Sequence, residues 1–183
     1  MNGTALGSGS APPIAAMVVV VVASNWLVQF PINDWLTWGA FTYPFSFLVT
    51  DLTNRRFGPA RARSVVYVGF ALAVILSLAI ATPRITLASA TAFLLAQLLD
   101  IAIFNRLRRQ SWWRAPLVSS AVASALDTAI FFSIAFAGSD TPWVTWALGD
   151  YAVKLALACV ALSPYRLVMA RLGPAWQPAQ AGR

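Results

Sequence analysis

The chain is a succession of long apolar runs broken by short segments carrying Pro, Trp and Arg, a pattern that predicts six helices of membrane-crossing length. The runs occupy residues 14–30, 35–52, 64–82, 85–104, 116–137 and 143–162. Residues 1–13 are rich in Gly, Ser, Ala and Pro without a charged side chain and read as a flexible lead-in, while residues 173–183 read as a tail. Residues 14–172 then make a single transmembrane domain, since no segment among them is long enough to serve as a linker. A cleaved signal peptide is the competing reading of the first run, with Val21-Val22-Ala23 as its cleavage site. The basic stretch it needs is missing and the apolar character continues past Ala23, so a membrane span is preferred.

The second run is the least apolar. Pro44 removes a backbone hydrogen bond near its middle and predicts a kink or break, which is tolerated at membrane depth where the segment lines a cavity or is covered by protein. Trp35 and Trp38 read as interfacial belt residues at one end of it. Asn25 and Gln29, four apart near the end of the first run, share a helical face.

Charge in the loops fixes an orientation. Arg55, Arg56, Arg61 and Arg63 follow the second run, Arg106, Arg108, Arg109 and Arg114 the fourth, and Arg166, Arg171 and Arg183 the sixth. Six crossings put all of these on one face and leave Arg84 on the other, so both termini are expected in the cytoplasm.

Composition narrows the chemistry. The apolar fraction is 59% and the charged fraction 10%, far from the roughly 25% charged residues of soluble proteins. The net charge of +7 belongs to loop arginines and does not imply nucleic-acid binding. Histidine and glutamate do not occur, which removes His-dependent catalysis and most zinc chemistry. Cys159 is the single cysteine, so an internal disulfide is impossible, and no cofactor is expected.

The functional signal lies in the charges inside the runs. Asp51, Asp100, Asp127 and Asp150 fall within or at the ends of runs, as does the single lysine, Lys154. An ionisable group at the bilayer centre costs about 2.5–3.5 kcal/mol on insertion scales, so it normally faces the protein interior with a partner or a task. At about 1.5 Å per residue, Asp127 lies roughly 16 Å from the cytoplasmic end of the fifth helix and Lys154 about as far from the outer end of the sixth. Leu99-Asp100-Ile101-Ala102-Ile103-Phe104 echoes Leu126-Asp127-Thr128-Ala129-Ile130-Phe131, which suggests a duplicated device. Asp150 and Lys154 have the favourable i, i+4 orientation of a helical ion pair. Two readings of Lys154 stay open: it locks two helices together by neutralising Asp150 or Asp127, or it belongs to a polar cavity. Asp51, one turn from Arg55, reads as half of an interfacial ion pair or turn.

Ser120, Ser124 and Asp127 form one stripe, continued by Phe131, and Gln97 with Asp100 forms another. The serines fit helix packing as well as a site. Phe41, Tyr43, Phe45 and Phe47 could stack on a planar ligand, or pack in the core or against lipid.

Taken together, several stretches resemble the queuosine-precursor transporters of the vitamin uptake transporter family. They are residues 24–31, 37–53, 96–108, 112–116 and 124–136, with Asp150-Tyr151-Ala152-Val153-Lys154, so the likeness runs through about residues 24–170. The family pattern has Gly-Asn where Ala123-Ser124 stand here, which replaces or removes a polar contact, and the loop between the third and fourth runs is short. The resemblance implies uptake of 7-cyano- and 7-aminomethyl-7-deazaguanine across the bacterial inner membrane. It also implies an all-α fold of six transmembrane helices, similar to the substrate-binding S-components of energy-coupling-factor (ECF) importers.

Residue chemistry suits such a ligand. One carboxylate, Asp127 or Asp100, can accept two hydrogen bonds from the ring N–H and exocyclic amine of a guanine-like edge. A second acid such as Asp150 can meet the ammonium, Gln97 or Asn25 can donate to the carbonyl, and Tyr43 or Phe45 can stack. Ser124 lines the same stripe, and Lys154 holds the empty site together. Expected partners are this small molecule and the lipid bilayer, with a homodimer left open.

Three rivals are weighed. An intramembrane aspartyl protease needs two acids, but position 147 is Ala where its Gly-x-Gly-Asp motif needs Gly. An S-component dependent on an ECF ATPase module, or an importer of another purine-like or vitamin substrate, is the alternative. Ala11 and Ala15 flank Pro12-Pro13, a poor place for the Ala-x-x-x-Ala docking motif, so a stand-alone transporter is favoured. A purely structural scaffold leaves the midplane charges unexplained.

Overall fold

The computed structural model describes residues 11–171. The expected lead-in therefore lies outside the described residues up to position 10, and the expected tail entirely so. Ala11, Pro12 and Pro13 already belong to helix α1 (Ala11–Leu27). Its buried residues, Met17, Val21, Ser24 and Asn25, follow one helical face.

The chain next departs from the sequence expectation. Residues 31–37, the last three of which fall in the second apolar run, form a small antiparallel hairpin of β1 (Pro31–Asn33) and β2 (Leu36–Thr37). Turn chemistry explains it: the Asn33 side chain accepts a hydrogen bond from the Trp35 N–H at 2.8 Å, an Asx turn that holds the reversal. The hairpin lies on the start of the last helix, where Trp146 Nε1 donates to the Asn33 carbonyl at 3.0 Å and Thr145 donates to the Asp34 carbonyl.

Helix α2 (Gly39–Thr42) is a single turn, and Tyr43 and Pro44 separate it from α3 (Phe45–Phe57). Tyr43 (φ −58°, ψ −39°) and Pro44 (φ −57°, ψ −22°) both stay in the right-handed helical region. The proline thus bends the path without unwinding it, as a missing N–H and a ring clash with the preceding turn require. Gly58, at φ 85°, makes the sharp reversal into α4 (Pro59–Ser77). Helix α5 (Pro83–Leu107) opens with Thr82 as its N-cap, whose side chain accepts from the Ile85 N–H at 3.3 Å. Helices α6 (Arg114–Phe136) and α7 (Trp143–Arg171) complete the bundle.

Helices α4, α5, α6 and α7 are each long and apolar enough to cross a membrane, and α1 is a shorter apolar helix of 17 residues. The protein is an all-α membrane protein apart from the hairpin. Helices α5 and α6 share the most extensive interface, with α7 against α6 and α1 against α4. Small residues allow the close approach: Ala88, Ala92 and Ala96 on α5 and Ala115, Ser119, Ser120 and Ala123 on α6 are all buried. Val19, Ile75, Leu95, Val160 and Leu167 are exposed, as lipid-facing side chains are.

The two ends of the bundle are tied differently. At the arginine-rich end, Arg108 donates to the Asn54 carbonyl and side chain at 2.6 Å each, and Arg55 donates to the Arg108 carbonyl at 2.9 Å. At the other end Arg84 donates to the carbonyls of Ile134 and Ala137, at 2.7 and 2.5 Å, and so caps α6.

Candidate functional site

Helix α7 buries little of its length, and the buried residues are Trp146, Asp150, Lys154 and Tyr165. Four-residue spacing sets the first three on one stripe, so the inward face of this otherwise lipid-facing helix is polar. Opposite it stands Asp127, near the middle of α6 and 2% exposed.

The Lys154 ammonium has three N–H groups and three acceptors. It lies 2.8 Å from Asp127 Oδ2, 2.6 Å from Asp150 Oδ2 and 3.0 Å from Thr128 Oγ1. Thr128 in turn donates to Asp150 Oδ2 at 2.8 Å. The remaining oxygen of Asp127 accepts from the Tyr43 hydroxyl at 2.7 Å, and the lysine nitrogen sits 4.9 Å from the centre of that tyrosine ring. Each Asp127 oxygen thus accepts a strong donor, in a cluster whose one cation faces two acids.

This cluster separates two cavities. One, on the hairpin side, is about 30 Å³ and is lined by Ser24, Asn25, Val28, Gly39, Tyr43, Ser89, Asp127, Phe131, Asp150 and Lys154. The other, toward the arginine-rich end, is about 20 Å³ and includes Pro44, Phe47, Asp51, Ser120, Ser124, Lys154 and Tyr165 in its wall. Lys154 lines both.

Of the residues singled out in the sequence, Asp127, Asp150, Lys154, Tyr43 and Asn25 meet at the hairpin-side cavity, and Ser124 lies at the other. Asn25 donates to Ser77 Oγ at 2.8 Å. Gln97 is fully buried elsewhere, accepting from Thr50 Oγ1 at 2.5 Å and donating to Ser46 Oγ at 3.1 Å, which ties α5 to α3. Asp100 is fully buried and faces Asp51. Phe45 is 49% exposed and lies apart from the cluster, in an outer apolar groove with Pro44, Leu48 and Pro164.

One sequence expectation is corrected. Asp51 makes no interfacial pair with Arg55: it is 2% exposed, accepts from Ser120 Oγ at 3.2 Å, and Arg55 reaches the Arg108 carbonyl instead. The two share a face of α3, but Arg55 sits in its last turn and reaches across to the end of α5 instead. Sequence reasoning also missed Thr128, whose hydroxyl bridges Lys154 and Asp150. Its position beside Asp127 was the available signal. Among the described residues no group of three or more His, Cys, Asp or Glu could hold a metal ion.

The vitamin uptake transporter family matches residues 37–82 and 77–168 of this chain. The chain is 36% identical to the "Queuosine precursor transporter" of Escherichia coli (strain K12), over 80% of each chain. It is 37% identical to the "Probable queuosine precursor transporter" of Haemophilus influenzae, again over 80% of each. Against the protein of the same name from Bacillus subtilis (strain 168) the identity is 29%, over 75% of this chain and 73% of that one. No solved structure matches the chain.

Proposed function

The chain belongs to the vitamin uptake transporter family, and from that premise we propose that this multi-pass inner-membrane protein imports 7-cyano- and 7-aminomethyl-7-deazaguanine, binding them in the cavity beside Asp127. The observation that carries the reading is the occupancy of the Asp127 carboxylate. Lys154 donates to one oxygen and Tyr43 to the other, so two donors stand where the ring N–H and exocyclic amine of a guanine-like edge would bind. Arrival of substrate exchanges one pair of donors for another, and no carboxylate is left bare at membrane depth.

Other roles follow from position. Asp150 remains with Lys154 and is placed to receive the ammonium of the aminomethyl ligand. Asn25 lines the same wall and offers its amide to the ring carbonyl, and the Tyr43 ring offers a stacking face.

The crossing order we infer is six, with α2 and α3 together making the second passage and the arginine-rich ends and both termini in the cytoplasm. The hairpin-side cavity then opens outward and the other inward, and Lys154 lies between them. Release of Lys154 from Asp127 on substrate binding is the differential contact that alternating access needs.

The test is uptake in cells lacking both precursor synthesis and an importer of their own. Restored queuosine in tRNA supports import by this chain alone. Insertion without restoration would overturn the stand-alone reading and direct attention to an ATPase partner or another purine-like substrate.

A further inference from the structure

A second buried group of acids is left over from the substrate cluster. Asp51 on α3 is 2% exposed and Asp100 on α5 is 0% exposed. Their carboxyl groups face each other beside Ser119, whose hydroxyl donates to the Pro116 carbonyl at 3.4 Å. Ser120 donates to Asp51 Oδ2, but Asp51 Oδ1 and both oxygens of Asp100 have no donor. Neither acid is in a salt bridge among the described residues. The charged and titratable groups around them are otherwise engaged: Arg55 on the Arg108 carbonyl, Arg108 on Asn54 and Asn105, and Lys154 on Asp127 and Asp150.

An independent observation points the same way. The Tyr165 hydroxyl, on α7, is buried and has no partner, and Tyr165 lines the inner cavity together with Asp51. Two carboxylates in contact inside a membrane cannot both be ionised without a cation. Among the described residues no group of three or more His, Cys, Asp or Glu is placed to hold a metal ion, whereas one proton between two acids satisfies the geometry.

We propose that the facing carboxyls of Asp51 and Asp100 bind one shared proton, and that loading and unloading of this proton drives uptake. The inference rests on the transport reading above. A mechanical link is visible in the chain. Helix α3 carries Asp51 two turns beyond Tyr43, which holds Asp127, and the inner cavity runs from Asp51 to Lys154. With the proton present, α3 is held to α5. Once it is lost, two like charges push these helices apart and move Tyr43 away from Asp127.

The experiment uses the full chain in liposomes, with the neutral 7-cyano-7-deazaguanine as probe, and compares exchange between equal pools with accumulation driven by a pH gradient. We expect D51N and D100N to lose at least about tenfold of gradient-driven accumulation while exchange persists. Infrared spectra should show a protonated-carboxyl band at neutral pH in the wild type that disappears in D51N/D100N and survives in D140N. Gradient-driven accumulation at wild-type rates in both single variants would overturn the proposal. So would loss of exchange together with accumulation in folded protein, or wild-type uptake driven by sodium and indifferent to a protonophore. If the wild type transports no deazaguanine, the substrate reading fails, and the infrared band still decides whether the proton is there: its absence sinks the site.

Discussion

The ammonium of Lys154 lies 2.8 Å from Asp127 Oδ2, and the lysine side chain forms part of the wall of the cavity on either side of that contact. An internal cation of this kind has two consequences. It makes an otherwise costly buried acid tolerable in the empty protein, and it supplies a bond that a ligand can replace.

Asp127→Asn removes the acceptor of the ligand edge but leaves Lys154 and Asp150 as a balanced pair, 2.6 Å apart. The variant should therefore insert and fold, yet lose about 2–5 kcal/mol of binding, the usual cost of truncating one member of a buried hydrogen-bonded charge pair. Uptake and direct binding of a deazaguanine would be measured on protein shown to be monodisperse. Wild-type affinity in this variant would remove Asp127 from the site.

Lys154→Met acts on the other partner and should be far worse for the fold. It leaves Asp127 and Asp150 buried with no cation, and breaking a buried pair in this way costs about 3–5 kcal/mol. Thermal unfolding in detergent should place Lys154→Met well below Asp127→Asn, and the triple variant D127N/D150N/K154M should recover much of the loss. Equal unfolding temperatures for the two single variants would mean that the charges are not coupled as the geometry implies.

How much of this was legible in the sequence follows from what each feature depends on. Asp127, Asp150 and Lys154 stand out because charge within an apolar run is conspicuous, and their meeting needs only two helices crossing near the midplane. The Pro44 bend was legible for the same local reason. The Asp51–Asp100 contact was not, because it depends on the rotation of α3 relative to α5, and one turn of helix offered Arg55 as an obvious alternative. Phe45 failed to join the cluster for a simpler reason: two positions from Tyr43 along helical backbone is about 200° around the axis, so the two face opposite ways. The hairpin was hidden because strands of three and two residues carry no period long enough to read.

Tyr43 allows a sharper test of the exchange of donors. In the empty protein its hydroxyl donates to Asp127 Oδ1 at 2.7 Å, and hydrogen bonds to charged groups contribute about 1.5–3 kcal/mol. Tyr43→Phe should lower the unfolding temperature of the empty protein, yet leave deazaguanine affinity unchanged or improved, since a competitor for the carboxylate is gone and the ring remains. Tyr43→Ala should lose affinity as well, by removing the stacking face. A drop in affinity in Tyr43→Phe as large as in Tyr43→Ala would show that the hydroxyl contacts the ligand and does not stand in for it.

The hairpin packs on the start of α7, and Gly149 is where it rests. A Cβ added at Gly149 would lie 1.9 Å from the Trp35 carbonyl oxygen and 3.2 Å from a Leu36 methyl. The backbone oxygen cannot rotate away as a side chain could, so Gly149→Ala must lift residues 34–36 from α7. Lifting them strains the bonds from Thr145 to Asp34 and from Trp146 to Asn33. Overpacking of this type costs about 1–3 kcal/mol, while Asp150, the next residue, keeps its bonds to Lys154 and Thr128. The expected outcome is a lowered unfolding temperature and faster exchange of backbone amides in residues 31–37, with deazaguanine binding retained. Unchanged amide exchange in the hairpin would show that the two segments do not touch.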